Sequence, residues 1–499
     1  MGVPHVVVIG AGIGGLSAAI ALAARGLRVT LYEQLDRPGG KMGEVRAGGF
    51  RWDTGPSVIT MRFVYDQLFA LANRRLEDYL ELMPIEPLTR YFWHDGTVLD
   101  ATADLVAMQQ RIAERFGTDE AQRYRTFIAY AQRLYEIVRE PFLFRHKPTL
   151  RDLFRLPIAD VLKIDALRTM HQAVRAHFKS PHLIQLFDRF ATYNGSSPYR
   201  VPATLNVIAF VEMAQGAWYP RGGVFQLARA FEHLAIELGV EVHYETPVKQ
   251  IVVHNQRAEG VILTEERFVR ADAVVCNADY AFAQQTLLPA SVAQRRFPEP
   301  SCSGFVLLLG VRGHFQQLAH HNIFFSQDYP REFADIFTRG VPPENPTLYL
   351  CITSKTDPEH APAGHENWFV LVNAPALSGG FDWQANIDAY ANRVKDALRE
   401  WMARIGEPAP EIVVERHWTP LDLQRTFGGY RGAIYGFSSN TRFAAFARPN
   451  NRDPRIRKLY FAGGSVHPGG GVPLVTLSGM AAARCVLEDL GSTTQGAAL

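Results

Sequence analysis

Three glycine-rich turns, one carboxylate and one lysine are where this sequence could do chemistry. The first turn, Gly10-Ala11-Gly12-Ile13-Gly14-Gly15, follows an apolar run, residues 5–9, and opens a small-residue helical pattern. In such a turn Gly10 bends the chain tightly, Gly12 lets the backbone approach a pyrophosphate, and Gly15 lets helix and strand pack closely. The N–H groups at the helix start then face the phosphates. A second strand, residues 27–32, ends at Glu33, about 20 residues past the turn. A carboxylate there accepts both hydroxyls of an adenosine ribose and repels a 2′-phosphate. Strand, glycines, helix, strand and terminal acid stand in the order a nucleotide-binding βαβ unit requires.

The second turn is Gly39-Gly40-Lys41, followed by Asp53-Thr54-Gly55-Pro56. Paired glycines and a cation suit a loop wrapped around a bound dinucleotide, with the cation offsetting phosphate charge. The third turn, residues 463–471, follows an apolar strand and leads through Val472 and Pro473 into the last helix. Its backbone N–H groups point at something anionic, and its consecutive glycines admit a flat ring at close range. His467 lies inside this turn and is the best polar candidate for a catalytic role; a structural role is the alternative.

The rest of the chain must position these turns. At 499 residues it calls for two or more domains. Hydrophobic residues make up 47% and charged residues 20%, as in an ordinary folded protein. A net charge of +2 gives no reason to expect nucleic acid as a partner. Cys276, Cys302, Cys351 and Cys485 form no CxxC pair, which argues against a disulfide framework and fits a reducing compartment. His320-His321 invites a metal, but no carboxylate or further histidine stands at ligand spacing, so no metal is expected. No run reaches the roughly 18 apolar residues of a spanning helix, and no basic-then-apolar leader precedes the first strand.

Together, Gly10 to Gly15, Glu33, Gly39-Gly40 and Asp53-Thr54-Gly55-Pro56 resemble the amine-oxidase type of flavoprotein oxidoreductase, and specifically its phytoene and carotenoid desaturase branch. The closing glycine turn resembles that branch's flavin motif, and the absence of an acid at Gly464 favours it over the amine oxidases. The resemblance covers nearly the whole chain and implies FAD held in an extended form. It implies FAD contacts at Gly10, Gly12, Gly14, Gly15, Glu33, Gly39, Gly40, Lys41, Asp53, Gly55, Pro56, Val248, Ala278, Gly463, Gly464, Gly471, Val472 and Pro473. Lys41 departs from the family's usual arginine, a point charge replacing a bidentate fork.

The expected fold is α/β. A Rossmann-like FAD-binding domain is assembled from residues 1–62, 215–280 and 455–499, with a helical, membrane-facing insertion at 63–214 and a mixed-sheet substrate domain at 281–454. Within the insertion, residues 139–189 interleave Phe142, Phe144, Leu153 and Phe154 with Arg145, Lys147, Arg151 and Arg155. That pattern suits either a bilayer interface or an amphipathic core helix. With one dinucleotide fingerprint and no nicotinamide site, electrons are expected to leave for oxygen, a quinone or another small acceptor. The resemblance implies desaturation of phytoene or a related polyene by a cytoplasmic enzyme held peripherally at the membrane. The 463–471 run is closer to later-acting members: a hydroxycarotenoid 3,4-desaturase, a terminal-methyl oxidase or an isomerase. An amine oxidase and a non-enzymatic carotenoid or flavin carrier are the readings from other classes.

Overall fold

The computed structural model describes residues 2–140, 164–294 and 296–491. Its first sheet is fully parallel, in the order Leu459–Phe461, Ala273–Cys276, His5–Ile9, Arg28–Tyr32, Glu241–His243. The central strand, His-Val-Val-Val-Ile, is buried along its length, as a parallel strand covered on both faces must be. Helices Ile13–Ala23 and Val472–Leu490 cross on one face at close range: a Cβ at Gly479 would stand 2.3 Å from the Gly14 carbonyl oxygen. An antiparallel excursion, Val248–His254, Arg257–Leu263 and Phe268–Arg270, precedes the return to Ala273–Cys276.

The second sheet has seven strands, in the order Glu411–Trp418, Ser303–Arg312, His365–Ala374, Leu348–Ile352, His321–Phe324, Thr89–Phe92, Val98–Ala101. All its pairings are antiparallel except that of His321–Phe324 with Thr89–Phe92, so the sheet is mixed as expected. Side chains alternate along Ser303–Arg312. Phe305, Leu307 and Leu309 pack beneath helix Trp383–Arg404, while Val306 and Leu308 face a cavity.

The last two strands of this sheet correct the reading of 63–214 as helical. Residues 89–101 form a hairpin whose turn is fixed by Asp95 Oδ1 accepting from Thr97 N at 3.0 Å. The Asp-Gly at 95–96 is a turn signal, and aromatic and β-branched neighbours supply strand propensity. Beyond it the described part of the insertion is mostly helical, with Leu105–Phe116 and Thr118–Val138 divided at Gly117, whose φ of +95° a helix cannot continue through. The residues named for the basic aromatic pattern, Phe142 to Arg155, lie in 141–163, outside the described residues. No helix among the described residues is long and apolar enough to cross a membrane.

Candidate functional site

The three glycine turns converge on one cavity of about 810 Å³. Gly10, Gly12 and Gly14 line it at one end, joined by Gly39, Gly40 and Lys41, by Gly55 and Pro56, and by Val248 and Ala278; Gly463, Gly464, Gly471, Val472 and Pro473 line it from the last motif. Helices Ile13–Ala23 and Val472–Leu490 both begin here with a glycine N-cap that makes no side-chain hydrogen bond. Their first N–H groups and positive dipole ends are therefore available to an anion or an electron-rich edge. Open space surrounds the position a Cβ at Gly471 would take.

Glu33 is buried at this cavity. Its Oε2 accepts from Ala11 N at 2.6 Å and its Oε1 from Leu35 N at 2.9 Å. Burial raises its pKa despite these hydrogen bonds. Each oxygen keeps a further lone pair for a ribose hydroxyl. Glu33→Ala is expected to weaken FAD binding by at least about tenfold, the loss of hydrogen bonds to a charged acceptor, as read by titrating apoprotein with FAD.

Two assigned residues lie elsewhere. Gly15 is absent from the cavity wall; a Cβ there would stand 2.0 Å from the Gly10 carbonyl oxygen, so it acts through strand–helix packing. Asp53 does not reach the cavity either, which corrects its assignment as an FAD contact. Its Oδ1 accepts from Arg51 Nη2 at 2.6 Å, its Oδ2 from the Tyr219 hydroxyl at 2.6 Å, and Arg51 reaches Glu44 at 3.0 Å. Lys41 lines the cavity, but its ammonium donates to the carbonyl oxygens of Ile434 (2.6 Å) and Ala433 (3.3 Å). Burial lowers its pKa, with Asp279 acting in the opposite direction.

Asn277 and Arg448 were not singled out from the sequence. Asn277 sits where the turns meet: a Cβ at Gly12 would be 2.8 Å from its Nδ2, and one at Gly14 would be 2.5 Å from its Oδ1. The buried Arg448 guanidinium donates to the carbonyl oxygens of Gly464 at 3.1 Å and Phe437 at 3.3 Å, and burial lowers its pKa to about 10. Among the described residues it forms no ion pair, so it adds positive charge to the cavity wall next to the last glycine turn. His467 is 3% exposed and lines the cavity. Its carbonyl oxygen accepts from Ser478 Oγ at 2.7 Å and Asn451 Nδ2 at 3.0 Å, bonds that pin this turn to the last helix.

Farther along, apolar residues of the cavity wall stand among polar ones, including Arg189, Glu212, Tyr193, His321 and Tyr349. Arg189 Nη2 donates to the Tyr91 hydroxyl at 2.7 Å and to Glu212 Oε1 at 3.1 Å, and Tyr193 donates to Glu212 Oε2. His321 Nδ1 lies 2.8 Å from the Tyr349 hydroxyl, itself 2.5 Å from Ser57 Oγ. Strand pairing also sets Cys351 opposite His321, so donor atoms of His320, His321 and Cys351 fall within 4.8 Å of one another, a proximity that sequence spacing does not reveal. Burial, with Arg189 adding to it, pushes His321 down to about 3. Between pH 6.5 and 3 the unfolded chain therefore takes up a proton that folded His321 refuses. Stability is expected to fall on acidification through that window, by up to about 1.4 kcal/mol per pH unit for this group. Urea denaturation across a pH series checks this, and His321→Leu should flatten the slope.

The family model for flavin-containing amine oxidoreductases matches residues 13–487. The chain is 38% identical over 497 residues to a 4,4'-diapolycopene oxygenase of Methylomonas sp, covering 97% of this chain and 98% of that one. It is 34% identical over 486 residues to a 4,4'-diaponeurosporene oxygenase of Staphylococcus aureus (strain MW2), covering 95% and 96%. Among solved structures, a putrescine oxidase double mutant matches with a TM-score of 0.66 at 17% identity, covering 97% and 99%. Cyclohexylamine oxidase from Brevibacterium oxydans IH-35A matches at 0.60 and 20%, covering 98% and 100%. The cavity fits FAD: the uncapped turn at Gly10–Gly14 would hold its pyrophosphate, Glu33 its ribose, and the start of the last helix, with Arg448, its electron-accepting end. Bound there, FAD would supply a hydride acceptor. The chain is an FAD-dependent oxidoreductase, and it belongs to the flavin-containing amine oxidoreductase family.

Proposed function

We propose that this enzyme oxidises a terminal methyl group of a linear carotenoid to the aldehyde, with dioxygen as co-substrate: R–CH3 + O2 → R–CHO + H2O. The observation that carries this reading is the likeness, over almost the full length of both chains, to the Methylomonas diapolycopene oxygenase. The cavity supports it. Val306, Leu308, Ile323, Phe369, Leu371 and Val211 offer a polyene an apolar wall continuous with the FAD cradle. This reading stands ahead of phytoene desaturation, to which the N-terminal motifs are equally suited.

Peripheral membrane contact belongs to the same proposal. Leu167 and Phe443 are 74% and 67% exposed and stand next to the cavity-lining Ala166 and Ala444, where a bilayer-dissolved substrate would enter. The test is to incubate FAD-loaded protein with a linear polyene in liposomes under air and identify the product by mass. A product with one oxygen in place of two hydrogens is expected. A product that has only lost hydrogens would make the enzyme a desaturase.

A further inference from the structure

We infer that His320, His321 and Cys351 form a buried binding site for one copper(I) ion, where strands His321–Phe324 and Leu348–Ile352 pair beside the cavity. One ring nitrogen of each histidine and the Cys351 sulfur lie within 4.8 Å of one another. Ligand atoms about 2.0 to 2.3 Å from a common ion stand about 3.5 to 3.7 Å apart in a trigonal plane, so these three have to draw in by no more than about 1.3 Å. The frame that holds them is regular sheet. His321 and Cys351 are register partners, and the His320 carbonyl oxygen accepts from Ile352 N at 2.8 Å.

Each histidine has one nitrogen held and one left over. His320 Nδ1 lies 2.5 Å from Thr356 Oγ1, and His321 Nδ1 lies 2.8 Å from the Tyr349 hydroxyl. The two Nε2 atoms are buried and have no hydrogen-bond partner among the described residues. A buried polar atom is costly unless something pairs with it. When Nδ1–H donates to the hydroxyl oxygen, Nε2 carries a lone pair, which a cation can take up. One nitrogen fixed by a hydrogen bond and the other turned to an ion is how metal-bound histidine is ordinarily oriented. Closure to water is no obstacle, because a copper(I) ion is smaller than a water molecule. Cys351 also borders a void of about 10 Å³, close to the room that one water needs.

Ligand type and charge select the ion. Thiolate with imidazole suits copper and zinc and disfavours magnesium, calcium and manganese. Burial keeps both imidazoles neutral and pushes the Cys351 thiol up, so the ion has to displace the thiol proton: Cys–SH + Cu⁺ → Cys–S–Cu + H⁺, with the proton leaving to solvent and no change of oxidation state. The charged groups that act on these residues, Arg189 on His321 and Asp53 and Arg51 on Cys351, already stand in ion pairs, Arg189 with Glu212 and Arg51 with Asp53. A divalent ion on one thiolate would leave a buried positive charge with nothing to offset it, whereas copper(I) on one thiolate is neutral.

The experiment equilibrates tag-free, FAD-loaded protein anaerobically with copper(I) against bicinchoninate, a competitor whose copper complex is coloured, and reads the transfer by absorbance. The protein is expected to hold one equivalent and to release one proton per ion. X-ray absorption of the same sample should show one sulfur and two nitrogens around copper, a readout that needs no variant. Cys351→Ser and His320→Leu proteins that retain FAD should each bind at least about tenfold more weakly. Cys302→Ser, at a buried cysteine outside the cluster, should bind as before. The pH dependence of stability expected for His321 is a property of the ion-free protein, and copper(I) should raise the denaturation midpoint above it. No copper(I) held against bicinchoninate, undiminished affinity in FAD-retaining Cys351→Ser, a copper shell without sulfur, or zinc(II) bound at these residues in preference to copper(I) would each overturn the inference. None of these outcomes bears on the flavin or carotenoid reading.

Discussion

Gly12→Val should yield a folded protein that purifies without its yellow colour. Gly12 has φ −65° and ψ 167°, a conformation any residue adopts, so backbone strain is not the obstacle. Space is. A Cβ there lies 2.8 Å from Asn277 Nδ2, the movable end of a side chain, and the two methyl groups beyond it would occupy cavity volume in front of the helix N-terminus. The fold can adjust by turning Asn277, but a pyrophosphate can no longer reach the N–H groups at the start of helix Ile13–Ala23. Overpacking of this kind corresponds to at least about a tenfold loss of FAD affinity. Flavin absorbance per protein and an unfolding curve in urea measure the two parts separately. A yellow, active Gly12→Val enzyme would mean that the cradle has been misidentified. Gly15→Val is the contrasting case, since its Cβ meets backbone at 2.0 Å and the damage falls on folding.

The reverse separation is expected at Asp53. Asp53→Ala leaves the Arg51 guanidinium buried beside a missing carboxylate and strips the Tyr219 hydroxyl of its acceptor. Breaking a buried pair by removing one partner costs about 3–5 kcal/mol. These contacts tie strand Phe50–Thr54 to strand Trp218–Pro220 and to Phe225 N, which donates to Asp53 Oδ1 at 3.4 Å. The denaturation midpoint should drop accordingly, while FAD affinity of the folded fraction stays within about threefold. Intact stability with a tenfold loss of FAD affinity would restore Asp53 to the binding site.

These two residues also mark what the sequence makes legible. Gly12 could be read because its constraint is local: the strand, the turn and the helix that define it are neighbours in the chain. Asp53 belongs to a motif that does touch the cavity, through Gly55 and Pro56, but it sits on strand Phe50–Thr54 and is turned into a buried ion pair. Motif membership does not distinguish these outcomes. Asn277 is a lone amide after a buried strand, and only the approach of Gly12 and Gly14 from elsewhere gives it meaning. Cys351 stands near His321 through an antiparallel strand register that joins residues thirty apart in the chain. The hairpin at 89–101 had a local signal in Asp95-Gly96, which was masked by the helical periodicity that follows it.

Consider finally what the parallel pairing of Thr89–Phe92 with His321–Phe324 means for anyone recombining this enzyme with a relative. Residues 63–214 look like a cassette hung on a dinucleotide domain, and a swap at those borders would seem natural. It would replace two strands of the seven-stranded sheet, so that His321–Phe324, beside the cavity, has to pair with a strand from the other enzyme or stand as an open edge. A graft beginning after Ala101 keeps the sheet whole and exchanges no strand among the described residues. The crossover point for chimeras therefore lies some forty residues inside the apparent border, on the far side of the hairpin.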